Sequence, residues 1–260
     1  MASPEIAVLH IPHSSQQVAA QERQAIRFGD AALNSELLRM TDAFTDELLP
    51  VTPVEAGRVV FPLSRLVCDV ERFPSDENEP MAARGMGVIY VRTSMGVVLR
   101  VPPDASGRQM HLDRWYRPHH ASLERLVNDV VARSGVCLIV DCHSFPSVAL
   151  PYEPDQRLGR LDICIGTDPF RTSSLLRDAI VAVAEDEGYS VAIDAPFAGA
   201  LVPLPHFGKN RRVLSVMIEV DRRLYMDEHS GAKNSGFVKC NLHLGSLSCR
   251  LPRPQPRRTM

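Results

Sequence analysis

No apolar run in the sequence approaches the roughly 18–20 residues that a membrane-spanning helix needs. Met1 to Glu5 lack the basic and long apolar stretches of a signal peptide. There is no Cys-x-x-Cys pair; Cys68, Cys137, Cys142, Cys164, Cys240 and Cys249 stand far apart. A disulfide framework is therefore not expected in a chain of this length, and a reducing cytoplasm is. Cys68, Cys137, Cys142 and Cys164 fall in apolar segments, where thiols act as small buried hydrophobes. Charge of one sign is missing too. With 29 Lys and Arg against 31 Asp and Glu, the formal charge is −2, so no global field would recruit nucleic acid. A small anion would have to be caught by local arginines.

Neither an internal repeat nor a domain linker is visible. The 260 residues suit one α/β domain, and 45% hydrophobic with 23% charged residues is the balance of an ordinary globular chain. We assign residues 1–250 to that domain. The tail 251–260, with three prolines and three arginines, has too little apolar content to fold.

What is present is alternation of short β-branched runs with amphipathic stretches, the pattern of an α/β sheet. Strands are expected at Ile6–Ile11, Leu66–Val70, Val136–Val140, Leu161–Gly166 and Val213–Val220, with a hairpin over Gly87–Val101. Helices are expected over about Asn34–Leu49, Asp113–Arg133 and Ser173–Glu187, the last opened by a capping serine. Val136–Val140 is continuously apolar, as in a strand covered on both faces.

In open α/β sheets, ligands sit beyond the carboxyl ends of the strands. The first strand reaches His13, the Val136 strand runs into Asp141-Cys142-His143-Ser144, and the last ends on Glu219-Val220-Asp221-Arg222. Leu66–Asp69 leads into Glu71-Arg72. Two histidines and several carboxylates on converging strand ends fit a zinc site. Either histidine alone would read as a hydrogen-bonded structural residue. Glu219, in an otherwise apolar strand, would be costly to bury without a role; the alternative is a salt bridge to Arg222 or Arg72. Ser14 and Ser144 beside the histidines leave a serine hydrolase as a weaker alternative. Gly85-Met86-Gly87 lacks the strand and lysine of a phosphate loop.

Four motifs resemble the N-formylglutamate amidohydrolase family, in the family's order: Pro12-His13-Ser14-Ser15, Ser64 to Phe73, Asp141-Cys142-His143-Ser144, and Ile218 to Glu228. They cover the chain from about residue 6 to 230. That family is similar in fold and site to zinc carboxypeptidases and aspartoacylases. The resemblance implies a three-layer αβα sandwich with a mixed, mostly parallel sheet, one catalytic Zn2+, and hydrolysis of an N-formyl or related N-acyl amino acid. N-formyl-L-glutamate, a small anion formed in histidine breakdown, is the substrate it implies.

The wider superfamily often takes its first two ligands from His-x-x-Glu, but here Gln16 stands three residues after His13. With His13 and His143 as ligands, a third must come from elsewhere, and Asp42, Asp69 and Asp141 are the candidates. Asp69 matches a carboxylate that supports a ligand histidine, and Asp141 is expected to orient the site. Asp42 is preferred as third ligand; its other reading is a helix N-cap. The resemblance puts Glu219 in the place of the general base and Arg72 where the superfamily grips a substrate carboxylate or polarises the carbonyl. Arg84, Arg92, Arg222 and His120 are further candidates for lining the pocket, as is His119, although a packed or capping role suits either histidine equally. Other metals suit the same donors. Another N-acyl-amino-acid deacylase, a small carboxypeptidase, or a non-catalytic binding protein on the same fold are the alternatives.

Overall fold

The computed structural model describes residues 5–249; the tail 251–260 lies outside them. The strands are β1 Ala7–Ile11, β2 Glu55–Val60, β3 Cys137–Phe145, β4 Ile163–Gly166, β5 Val191–Ile193 and β6 Val213–Asp221. The helices are α1 Ala20–Arg23, α2 Asp30–Met40, α3 Thr45–Leu48, α4 Ala105–His111, α5 Arg117–Ser134, α6 Ser174–Asp186 and α7 Phe237–Cys249. All six strands share one sheet in the order β2-β1-β3-β6-β4-β5. Its pairs are parallel except β4 against β6.

Successive side chains of a strand point to opposite faces, and here both faces are covered. Leu9, Leu138, Val140, Cys142, Val216, Ile218 and Val220 pack with Leu176 and Ile180 of α6 and Cys240 and Leu244 of α7. Val8, Cys137, Ile139 and Val213 pack on the other face with Leu123, Val127 and Val130 of α5. The result is the expected three-layer mixed sandwich. The same alternation puts His10, Asp141, His143 and Glu219 in the phase of the α5 face. Parallel register sets His10 beside Asp141 and His143 beside Glu219.

Four expected elements differ. The single helix over 34–49 is two, because the chain breaks at Thr41–Phe44 and Phe44 takes φ 66°. The break lets the Asp42 amide donate to the His13 carbonyl at 3.0 Å, which a continuous helix would forbid. Leu66–Val70 forms no strand, although Leu66, Val67, Cys68 and Val70 are fully buried. Their apolar sequence answers to a wrapped, enclosed loop, anchored where the Asp69 amide donates to Val88. The Gly87–Val101 hairpin is reduced to a turn at Thr93–Gly96 with a single bridge between Arg92 and Val98. The Asp113 helix arrives as α4, a π-helical turn at Leu112–Tyr116, and α5, closed by Gly135 at φ 77°. β2, β5 and α7 carried no strong periodic signal. Cys68, Cys137, Cys142, Cys164 and Cys240 are buried free thiols. Among the described residues no helix is long and apolar enough to cross a membrane.

Candidate metal centre

His13 follows β1, where Pro12 ends the strand, and His143 lies inside β3; their ring centroids are 5.2 Å apart. Both are buried. His13 Nε2 lies 2.9 Å from Asp69 Oδ1, while its Nδ1 is buried with no hydrogen-bond partner. That orphan atom faces Asp42 Oδ2 at 3.6 Å and Glu71 Oε2 at 3.7 Å. His143 Nε2 lies 2.9 Å from Glu71 Oε1, and its Nδ1 lies 3.0 Å from Asp42 Oδ2. Donor atoms of His13, Glu71 and His143 all lie within 4.8 Å of one another.

A tetrahedral zinc with bonds near 2.0–2.2 Å brings its donors to about 3.4 Å apart, so this nest, with donor pairs at 2.9 and 3.7 Å, needs only small shifts around an ion. The donor chemistry fits as well. Each histidine has one ring nitrogen toward the shared space and a carboxylate for the other, as ligand histidines require. Those carboxylates are themselves held. Asp69 Oδ2 accepts from Tyr90 at 2.6 Å and from Arg65 at 2.9 Å, with Arg72 Nε at 3.3 Å. Asp42 Oδ1 accepts from Arg222 at 2.9 Å.

Charge leads to the same place. The carboxylates of Asp42, Asp69, Glu71 and Asp141 outnumber the guanidiniums of Arg65, Arg72 and Arg222 around them, an excess of negative charge that a bound cation would offset. Burial pushes Asp42 up, but His13, His143 and Arg222 outweigh it and hold the carboxyl well below the usual range. Burial likewise opposes ionisation of Asp69, and Arg65, His13 and Arg72 reverse that. Burial disfavours a charged His143, yet Glu71, Asp141 and Asp42 hold its pKa well above the ordinary value. The nest attracts positive charge, whether proton or metal.

Glu219 enters from β6 and is 7% exposed, with Oε2 buried and unpartnered. Burial raises its pKa to about 8, opposed by His143 and Arg222 and reinforced by Asp42 and Glu71. A carboxyl that titrates near neutrality beside a candidate metal is suited to moving a proton.

Residues 6–226 match the N-formylglutamate amidohydrolase family. The chain belongs to that family. It is 30% identical over 217 residues to the N-formylglutamate deformylase of Pseudomonas aeruginosa, covering 77% of each chain. With the N-formylglutamate deformylase of Pseudomonas putida it shares 28% over 181 residues, 66% of this chain and 65% of that one. The match thus spans somewhat under two thirds of the Pseudomonas putida protein. A solved N-formylglutamate amidohydrolase from Ralstonia eutropha JMP134 superposes with a TM-score of 0.77 at 23% identity, over 96% of this chain and 95% of that one. Gene product Atu2144 of Agrobacterium tumefaciens gives 0.63 at 22%, over 95% and 91%. These two likenesses support the fold.

Against the family pattern, the arginines separate. Arg72 keeps a partly exposed guanidinium between Asp69 and Glu79, the latter at 3.8 Å. Arg222, expected on the substrate, is buried and bonded to Asp42, to Ser144 Oγ at 3.2 Å and to the Arg39 carbonyl at 2.7 Å, so it holds Asp42 in place. Arg84 donates to the Tyr152 carbonyl, and Arg92 to Gly96. His120 Nε2 meets the Val70 carbonyl at 2.7 Å, and its ring lies 4.1 Å from that of Tyr116. It lines a cavity of about 370 Å³ with Tyr116, Glu124 and Pro203.

Two residues escaped the sequence reading. Glu71 stands within the Ser64–Phe73 motif, between Asp69 and Arg72. His10 was the one polar residue of an apolar strand, a signal that burial cost could have raised. Its Nδ1 lies 2.7 Å from Asp141 Oδ1 and its Nε2 lies 2.8 Å from His119 Nε2. Asp141 also accepts from the Leu201 amide at 3.0 Å and stands 3.3 Å from His143 Nε2, which suits an orienting role.

Burial, His10 and His120 lower the His119 pKa to about 2. Folded His119 therefore stays neutral while the unfolded chain binds a proton near pH 6.5, so stability is lost as pH falls below 6.5. From pH 6.5 to 5 this one ring should cost about 2 kcal/mol. Urea unfolding at the two pH values checks it: His119→Gln should flatten the decline, and an equal decline in variant and parent would refute it.

Proposed function

We propose that this chain is a zinc-dependent amidohydrolase that cleaves N-formyl-L-glutamate to L-glutamate and formate. The observation that carries the reading is the buried, unpartnered Nδ1 of His13, aimed between Asp42 and Glu71 and beside His143. The names of the Pseudomonas relatives support the substrate. His13 Nδ1, His143 Nε2 and Glu71 would hold the ion, with Asp69 and Asp42 fixing the two imidazoles. When bound, zinc supplies a Lewis acid for the amide carbonyl and acidifies water toward neutrality. Glu219 takes a proton from the attacking water as its oxygen bonds to the formyl carbon. The same carboxyl then gives that proton to the glutamate nitrogen as the C–N bond breaks, which yields amine and formate with no other reactant. Arg72 offers the planar fork that a substrate carboxylate needs.

Elemental analysis should find about one zinc per chain, and chelation should abolish turnover reversibly. A panel of formyl, acetyl and dipeptide substrates should favour formylglutamate. No preference for it would sink the substrate reading while leaving the amidohydrolase reading intact. The third ligand is assigned by a pair of variants. Glu71→Gln should lose metal, and Asp42→Asn should weaken it about 10–100-fold, as removal of a ligand's outer partner does. Metal retained in Glu71→Gln but lost in Asp42→Asn would put Asp42 in the ligand set.

A further inference from the structure

A cavity of about 580 Å³ opens beside α4 and the π-helical turn after it, within the size range of small-molecule sites. Its wall includes Ile89, Arg100, Val101, Met110 and Arg114, and none of the metal-centre residues. Arg100 is 3% exposed, donates to the Leu66 carbonyl, and has an unpartnered buried Nε. Its ion pair with Glu22 is 3.8 Å long. Burial holds its pKa below the ordinary guanidinium value against the pull of Glu22.

The two acids in the wall are already answered. Glu22 accepts from Trp115 Nε1 at 3.1 Å and lies 3.5 Å from His111 Nδ1. Asp113 is ion-paired to Arg117 and accepts from Gln109 at 3.2 Å. Arg114, by contrast, is exposed and stacks near Trp115, 5.9 Å from the ring centroid. A buried cation with loose compensation is costly unless another anion completes it. The rim is apolar, with Met110 65% and Val101 58% exposed.

We propose that this cavity is a second binding site for a small amphipathic carboxylate, its head on Arg100 and Arg114 and its apolar body on Ile89, Val101 and Met110. The floor is also the back of the catalytic segment. Arg100 is bonded to the Leu66 carbonyl, and His111 Nε2 meets that of Val67 at 2.8 Å, a few residues before Asp69, Glu71 and Arg72.

Calorimetric titration of the zinc-loaded protein with octanoate, and with octanamide as its uncharged counterpart, tests the site. Octanoate should bind saturably, and octanamide at least about tenfold more weakly. Met110→Glu and Arg114→Glu, both at exposed positions outside the metal centre, should each weaken octanoate at least about tenfold through like-charge repulsion. Both should hydrolyse substrate like the parent. Absence of saturable octanoate binding, or equal binding of octanamide, overturns the proposal. Unchanged affinity in both variants does so too, by placing the carboxylate elsewhere, for instance at the metal.

Discussion

Glu219→Gln retains the parent's metal content and loses on the order of 10²–10⁴ in kcat, the usual contribution of a positioned acid–base group. The argument rests on two features of the side chain. Its Oε2 is buried without a partner, so it is free to accept from a water. Its pKa near 8 means that it can both take and return a proton near neutral pH, where a solvated glutamate would be a poor donor. Glutamine keeps the shape and the hydrogen-bonding oxygen but cannot cycle a proton. KM should change little, because the loss falls on the transition state. Elemental analysis and steady-state kinetics on the same preparation decide the matter. Loss of metal in this variant would make Glu219 a ligand, and near-parental kcat would remove it from the chemistry.

His143→Ala should release the metal and abolish turnover. His143 offers a nitrogen to the shared space, and its ring separates Glu71 from Asp42, with one carboxylate against each ring nitrogen. Without it those carboxylates and Asp141 face one another with Arg222 as the remaining buried countercharge on that side. Because loss of a mere outer partner costs 10–100-fold in metal affinity, loss of a ligand should cost at least about 100-fold. Dialysis against a competing chelator, followed by elemental analysis, measures it. Full occupancy in the variant would refute the ligand assignment, and circular dichroism on the same sample separates metal loss from unfolding.

The class of fold and the family were legible in the chain, as were most of the positions proposed here to carry the chemistry. Continuous apolar runs such as Val136–Val140 must be covered on both faces, which dictates helices on each side of a parallel sheet. His13, Asp69, His143 and Glu219 were visible because an ionisable group in an apolar segment carries a cost that needs a reason. Local pattern is enough for such inferences, since burial and alternation are properties of a few neighbouring residues. Which of these residues meet depends on how distant parts of the chain fold together. The helix break at Thr41–Phe44 brings Asp42 to both histidines, and Arg222 is drawn inward to Asp42. Glu71 and His10 took their places through a wrapped loop and a parallel register. Such pairings join residues dozens of positions apart, and no periodicity in the chain encodes the distance between them. The physical reason is that secondary structure follows from local sterics and hydrophobic period, whereas a metal centre is a long-range balance of charge.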